Sequence, residues 1–75
     1  MYELGAGLYS EKQFEKALFY FNNSIQRNNK NKDAYYNRGL TKWQLGNKEG
    51  ACNDWKKAFE LGDYESGKIF SENCQ

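Results

Sequence analysis

The feature that most constrains this chain is its likeness to itself at a spacing of 34 residues. Placed on itself at that shift, the sequence pairs several identical residues and further aromatic ones. The identical pairs are Tyr2 with Tyr36, Gly5 with Gly39, Glu15 with Glu49 and Ala17 with Ala51, and the aromatic pairs include Tyr9 with Trp43 and Phe21 with Trp55. A period of this length indicates a structural unit that occurs twice in the chain, with the second copy packed on the first.

Glycine recurs in this pattern although it weakens a helix by about 0.5–1 kcal/mol relative to alanine. Two helices of a hairpin approach closely only where side chains are absent or very small. We therefore expect Gly39 to lie opposite Ala51, and Gly5 opposite Ala17, so that close packing offsets the lost helix propensity. Trp55 would then fill the space towards the neighbouring helix.

Apolar residues at helical spacing predict two hairpins of two helices each, followed by a shorter last helix. The breaks between helices fall at polar or glycine-containing segments, at 10–12, 26–32, 45–47 and 62–63. Gly46 and Gly62 suit helix ends with a left-handed residue, and Asp63 is placed to cap the last helix.

Composition excludes several classes of function. The 75 residues include no proline and no histidine, only two cysteines, and a formal net charge of +1, with basic and acidic residues alternating along the chain. Nucleic-acid binding needs a concentrated basic face, and a metal site or a Cys–His nucleophile would lack partners. No apolar run has membrane-spanning length, and neither a signal peptide nor a glycine-rich phosphate loop is visible. We expect a soluble protein with no cofactor, no metal, no nucleic-acid partner and no membrane insertion.

Enzymatic activity is not expected either. The carboxylates of Glu11, Glu15, Glu49 and Glu60 fall on polar faces of the predicted helices. None has an apolar surround of the kind that raises the pKa of a catalytic acid or base.

The repeated unit resembles the tetratricopeptide repeat. The family pattern is met in order by Tyr35, Gly39, Ala51, Trp55 and Ala58, and one period earlier by Met1, Leu4, Gly5, Ala17, Phe21 and Ser24. The resemblance implies an all-α fold, a right-handed α-α superhelix of two helix-turn-helix repeats with a C-terminal capping helix. Residues 1–31 would form the first hairpin, 32–65 the second and 66–75 the capping helix, all in one domain. The stretch AFELGDYES also resembles the end of Sel1-like repeats, a related family of α-hairpins.

Three residues depart from the family pattern. Arg38 stands where leucine is usual and Lys42 where tyrosine is usual, so we expect both to expose their charges and to pack loosely. Lys12 stands at the glycine of the first inter-helix turn, where a left-handed conformation would cost about 1–2 kcal/mol.

The two cysteines allow two interpretations. Both can be buried free thiols, because cysteine packs as a small hydrophobic residue. Alternatively, Cys52 and Cys74 form a disulfide, since they lie at similar distances before and after the turn at Gly62 and Asp63 and would reach the same level of an antiparallel hairpin. Closing that loop would contribute about 3 kcal/mol. A disulfide would favour an oxidising compartment, periplasmic or extracellular.

The resemblance also implies a binding surface. In this family the first helix of each repeat lines a concave groove that commonly holds a peptide or a partner protein. The groove positions of this sequence are Tyr2, Ala6 and Tyr9 in the first repeat, and Asp33, Tyr36, Asn37, Leu40 and Gln44 in the second. The leading hypothesis is therefore a protein-interaction module with a protein or peptide partner.

A structural role is the alternative function. Stacked repeats bury their faces against neighbours, and the first hairpin has no solvating cap on its N-terminal side. The chain would then be a self-association segment of a larger repeat array, forming a homodimer through the uncapped first hairpin. Ordinary packing between repeats is the alternative for the tyrosines and Leu40 of the predicted groove.

Overall fold

The computed structural model of the protein describes residues 11–74, with side chains from residue 13 onward. Four helices follow one another: α1 Glu11–Arg27, α2 Lys32–Gln44, α3 Lys48–Glu60 and α4 Tyr64–Asn73. No strand occurs between residues 11 and 74, so the predicted all-α fold class is confirmed. Each helix packs on the next one in the chain. The first predicted helix, with Gly5, lies outside the described residues.

Two glycines end helices in the left-handed conformation, as the sequence predicts. Gly46 follows α2 with a φ of 88° and Gly62 follows α3 with a φ of 107°. At the second of these turns the backbone N–H of Asp63 donates to the carbonyl oxygen of Ala58 at 2.9 Å, which closes the end of α3. Lys12 lies within α1, so the cost of a left-handed conformation does not arise at this residue. Among residues 11–74 no residue other than glycine has a positive φ.

The helix starts use asparagine caps, and the start of α4 differs. The side-chain oxygen of Asn31 accepts from the backbone N–H of Ala34 at 3.2 Å, and that of Asn47 accepts from Gly50 at 2.9 Å. Asp63 occupies the cap position of α4, but its side chain accepts no backbone N–H there. Its carboxylate accepts instead from the Ser66 hydroxyl, at 2.5 Å. The start of α4 is therefore held without a capping bond to its backbone.

Small residues bring α1, α2 and α3 together around one core. Phe21 is fully buried, and Tyr35 closes the core from the α2 side. The core cluster consists of Ala17, Phe21, Ile25, Ala34, Tyr35 and Ala58, with Tyr20, Tyr36 and Leu61 packed against it. Alanine at three of these positions allows the helices to approach closely, so that the two large aromatic side chains fill the space that remains.

The atoms nearest to Gly39 belong to Trp55, which was expected only to fill the space towards the neighbouring helix, and the pairing of Gly39 with Ala51 stays a prediction. A Cβ atom at Gly39 would lie 2.7 Å from Cδ1 and 3.0 Å from Cε2 of the Trp55 indole. The indole Nε1 donates to the carbonyl oxygen of Tyr36 at 3.2 Å. Trp43 stacks beside Trp55 with ring centroids 5.5 Å apart. Glycine is required here because the indole ring occupies the space that a Cβ atom would need.

A buried ion cluster joins the same two helices, and the expectation of loose, exposed charges at Arg38 and Lys42 is wrong. Arg38 donates from Nε and Nη2 to the two carboxylate oxygens of Asp54, at 2.8 and 2.7 Å. Lys42 Nζ lies 3.2 Å from the same carboxylate, and Asp54 is only 4% exposed. The remaining guanidinium arm of Arg38 donates to Asn22 of α1 at 2.8 Å. One arginine therefore connects three helices.

Of the two interpretations of the cysteines, the structure contains the disulfide. Cys52 in α3 is bonded to Cys74, which directly follows α4, and their Cα atoms are 5.8 Å apart. The turn at Gly62 joins the end of α3 to the start of α4, and the disulfide joins the opposite ends of the same two helices. It holds α4 against α3.

Replacement of Gly39 by alanine should destabilise the protein. The added Cβ must displace the Trp55 indole, and overpacking of this kind costs about 1–3 kcal/mol of unfolding free energy, more than the gain in helix propensity. Urea unfolding followed by circular dichroism measures the change. In a Trp55→Phe background the smaller ring leaves room, so Gly39→Ala should cost less there. An equal cost in both backgrounds would show that the indole is not the obstacle.

Replacement of Asp54 by asparagine should lower the unfolding free energy by about 3 kcal/mol, because two cations then lose the buried charge that neutralises them. Water can still reach them in part, since the side chains of Arg38 and Lys42 are 17% and 20% exposed. Urea unfolding measures this effect. The matched control is Lys42→Met, which leaves the two-pronged Arg38–Asp54 pair intact and should cost under about 1 kcal/mol. Equal losses in the two variants would contradict the role given to Asp54.

Candidate partner-binding surface

The predicted groove residues of the second repeat all lie on α2, and we call their surface the α2 face: Asp33, Tyr36, Asn37, Leu40 and Gln44. Asp33 and Gln44 are exposed, Tyr36 and Leu40 are half-buried, and Asn37 is buried. The predicted residues of the first repeat, Tyr2, Ala6 and Tyr9, lie outside the described residues. The α2 face is therefore a strip with polar ends and a partly apolar centre.

Asn37 takes part in the hydrogen bonding of its own helix. Its side-chain Nδ2 donates to the backbone carbonyl oxygen of Asp33 at 2.8 Å. Its backbone carbonyl oxygen accepts from the Thr41 hydroxyl at 3.0 Å. Only 6% of Asn37 is exposed. In this conformation it offers little surface to a partner, and its role in binding stays a prediction.

Tyr36 is the best-defined residue of the α2 face. Its ring packs against the core cluster, and its carbonyl oxygen accepts from the Trp55 indole at 3.2 Å. Burial raises the pKa of its hydroxyl, and the negative charges of Glu65 and Asp63 raise that pKa further, because all three disfavour the phenolate. Asp63 and Glu65, at the start of α4, therefore act electrostatically on the Tyr36 hydroxyl.

The position of these two carboxylates was not predicted from the sequence, but a signal for it exists. Short turns reverse the chain between α2 and α3 and again between α3 and α4, so α2 and α4 begin at the same end of the molecule. Asp63 and Glu65 lie at the start of α4, and Asp33 and Tyr36 lie near the start of α2. Residues in the first turns of alternate helices are thus expected to be neighbours. Asp33 is exposed nearby, and so is Lys32 beside it, so carboxylates outnumber the lysine at this end of the α2 face.

Two shallow hollows lie along α1 and were not anticipated. The first is lined by Tyr20, Asn23, Ser24, Gln26 and Arg27, and the second by Phe19, Asn22, Asn23, Ile25, Gln26 and Arg38. Asn23 and Gln26 line both of them. Within the described part of the chain, the Tyr20 hydroxyl is the buried side-chain group with no hydrogen-bond partner. Neither hollow overlaps the α2 face.

Metal binding and membrane insertion find no structural support in the part of the chain that is described. Across residues 11–74, no three histidine, cysteine, aspartate or glutamate side chains are grouped so that they could hold a metal ion. None of the four helices described combines the length and the apolar character needed to cross a bilayer.

Comparison with known proteins finds one match. A family model described as tetratricopeptide repeat matches residues 32–61, which run from the first residue of α2 to the residue after α3. Neither the curated proteins nor the solved structures contain a match to the chain. The Sel1-like character of the stretch from Ala58 to Ser66 stays a prediction.

Replacement of Glu65 by glutamine should lower the pKa of Tyr36, because a negative charge that opposes phenolate formation is removed. The change is measured by alkaline titration of phenolate absorbance, with the curve of a Tyr36→Phe variant subtracted in each background. The matched control is Glu72→Gln, which changes an exposed residue farther along α4 and should leave the pKa of Tyr36 unchanged. If the pKa of Tyr36 is the same in the Glu65→Gln variant, the Glu65 carboxylate does not act on the α2 face.

Proposed function

Residues 32–61 form a tetratricopeptide repeat, and from this we propose that the chain is a protein-interaction module that binds a peptide or partner protein on the α2 face. Repeats of this family generally mediate contacts between proteins and are not typically catalytic.

One observation carries the proposal: Tyr36 and Leu40 remain partly exposed on a helix whose opposite side is fixed. Trp55 holds the backbone of α2 at Gly39 and Tyr36, and Asp54 holds it at Arg38 and Lys42. A partner that lies on such a helix does not have to order it first, which reduces the entropic cost of binding. Tyrosine suits this purpose because its ring offers contact area and its hydroxyl a hydrogen bond.

Charge indicates which partners the α2 face favours. The carboxylates of Asp33, Asp63 and Glu65 lie around or near Tyr36 at one end of the face. Charged groups at the rim of an interface select partners and speed association more than they raise affinity. We propose that the preferred segment carries lysine or arginine next to an apolar residue that contacts Tyr36 and Leu40.

A peptide-display selection on the whole chain tests this. Selected peptides should be enriched in lysine and arginine, and Tyr36→Ala should weaken their binding about tenfold or more, as expected for a central aromatic contact. Binding should also weaken as salt is raised. Isothermal titration of each variant gives the affinities.

The matched control is Glu72→Lys, an exposed charge reversal outside the acidic end, which should change affinity little compared with Glu65→Lys. Circular dichroism must show that Tyr36→Ala stays folded. If the selected peptides bind the Tyr36 and Glu65 variants as tightly as the original chain, they use another surface and the proposal fails.

The exposure of Phe19 favours a second candidate function, self-association through the first hairpin. Phe19 in α1 is 68% exposed and lies beside a hollow lined by amide side chains. An aromatic side chain in such a setting is typical of contact surfaces. Sedimentation velocity at increasing protein concentration separates the two functions, because only self-association makes the sedimentation coefficient rise and makes that rise depend on Phe19.

A further inference from the structure

Helix α4 has fewer buried residues than each of the other three described helices. Ser66 is its one buried residue, and Tyr64 at its start is 81% exposed. In its middle, the ring of Phe59 lies directly against the backbone at Gly67. Its start lacks a capping bond, and its last turn contains no basic residue to interact favourably with the helix dipole.

Such a helix does not stay formed by itself. Isolated helices shorter than about 12–15 residues are marginal in water even for favourable sequences, and α4 has 10 residues, including Gly67 in its interior. Its order must therefore come from contact with α3. At one end the turn at Gly62 maintains that contact, and at the other end the Cys52–Cys74 disulfide maintains it.

The rest of the fold is independent of α4. The residues of the core cluster lie on α1, α2 and α3. The two devices that join α2 to α3, the Trp55 indole at Gly39 and the Asp54 ion cluster, also involve no residue of α4. Loss of α4 from the stack would leave these contacts in place.

We propose that the Cys52–Cys74 disulfide is a redox latch that holds α4 closed, and that a small dithiol reductant releases α4 while α1 to α3 remain folded. Release removes Glu65 from the neighbourhood of Tyr36, whereas Asp63 stays at the end of α3 through its backbone bond to Ala58. The latch therefore sets how much negative charge lies next to the α2 face. This consequence for binding rests on the function proposed above, whereas the release of α4 does not.

The chemistry of the step balances with the dithiol as the named reductant. A thiolate of the dithiol attacks one sulfur of the disulfide and forms a mixed disulfide, and the other cysteine leaves as a thiolate. The second thiol of the reductant then attacks the mixed disulfide and closes to a cyclic disulfide. Two electrons and two protons pass to the protein, which gains two thiols. Cys52 and Cys74 are both partly exposed, so the reductant can reach them.

Hydrogen exchange measured by mass spectrometry on the whole chain, with and without dithiothreitol, tests the latch. Cross-linking two positions 22 residues apart in the chain restricts the open state enough to change an opening equilibrium about a hundredfold. Amides of α4 should therefore exchange about a hundredfold faster after reduction, while amides of α1, α2 and α3 change little. The Cys52→Ser/Cys74→Ser double variant should exchange like the reduced protein and should not respond to dithiothreitol.

Two results would overturn the latch. Exchange of α4 that is unaffected by reduction would mean that packing alone holds the helix. Faster exchange in all four helices together would mean that the disulfide stabilises the whole fold and does not release one part of it. Neither result depends on a binding partner. A failure of the selected peptides to bind the oxidised chain would count against the proposed function alone.

Discussion

The indole of Trp55 lying against Gly39 is the contact on which the rest of the structure depends. It fixes the separation of α2 and α3, and its hydrogen bond to the Tyr36 carbonyl oxygen at 3.2 Å holds the backbone just before the glycine. The Arg38–Asp54 pair then prevents rotation of α2 about its own axis, because two parallel hydrogen bonds to one carboxylate have a defined direction. These two contacts on the inner side of α2 therefore determine where the residues on its outer side lie.

The sequence predicted what is encoded locally or by the repeat. Helical spacing, the glycine turns and the cysteine pairing depend on residues close in sequence or related by a simple hairpin. It predicted that Gly39 needs a close neighbour but did not predict that Trp55 supplies the nearest atoms, because a period shows which positions are equivalent and does not show which side chain turns towards the glycine. Trp55 was expected only to fill a gap. The larger ring in fact occupies the space that a Cβ atom at Gly39 would need.

The buried ion cluster was missed because each charged residue, taken alone, looks like a solvated one. The signal was in the comparison of the two repeats. Leu4, Leu8 and Tyr20 stand 34 residues before Arg38, Lys42 and Asp54, so three apolar positions of the first unit became charged together in the second. A single change of this kind would leave a buried charge without a partner, which is costly. Three changes with one acid between two bases compensate each other, and that pattern predicts contact.

Helix α4 shows a limit of the 34-residue period. It begins 32 residues after α2, and the turn at 61–63, one residue shorter than the connection at 28–31, accounts for half of the difference from 34. Buried Ser66 is the third residue of α4, as Ala34 is of α2. A residue of α4 that is matched to α2 at a spacing of 34 is therefore two residues away from its structural counterpart. This shift leaves α4 with a small residue and Gly67 at its contact with α3, and so with little apolar burial. The disulfide supplies the restraint that packing does not, and the ordering of α4 is then complete before any partner arrives.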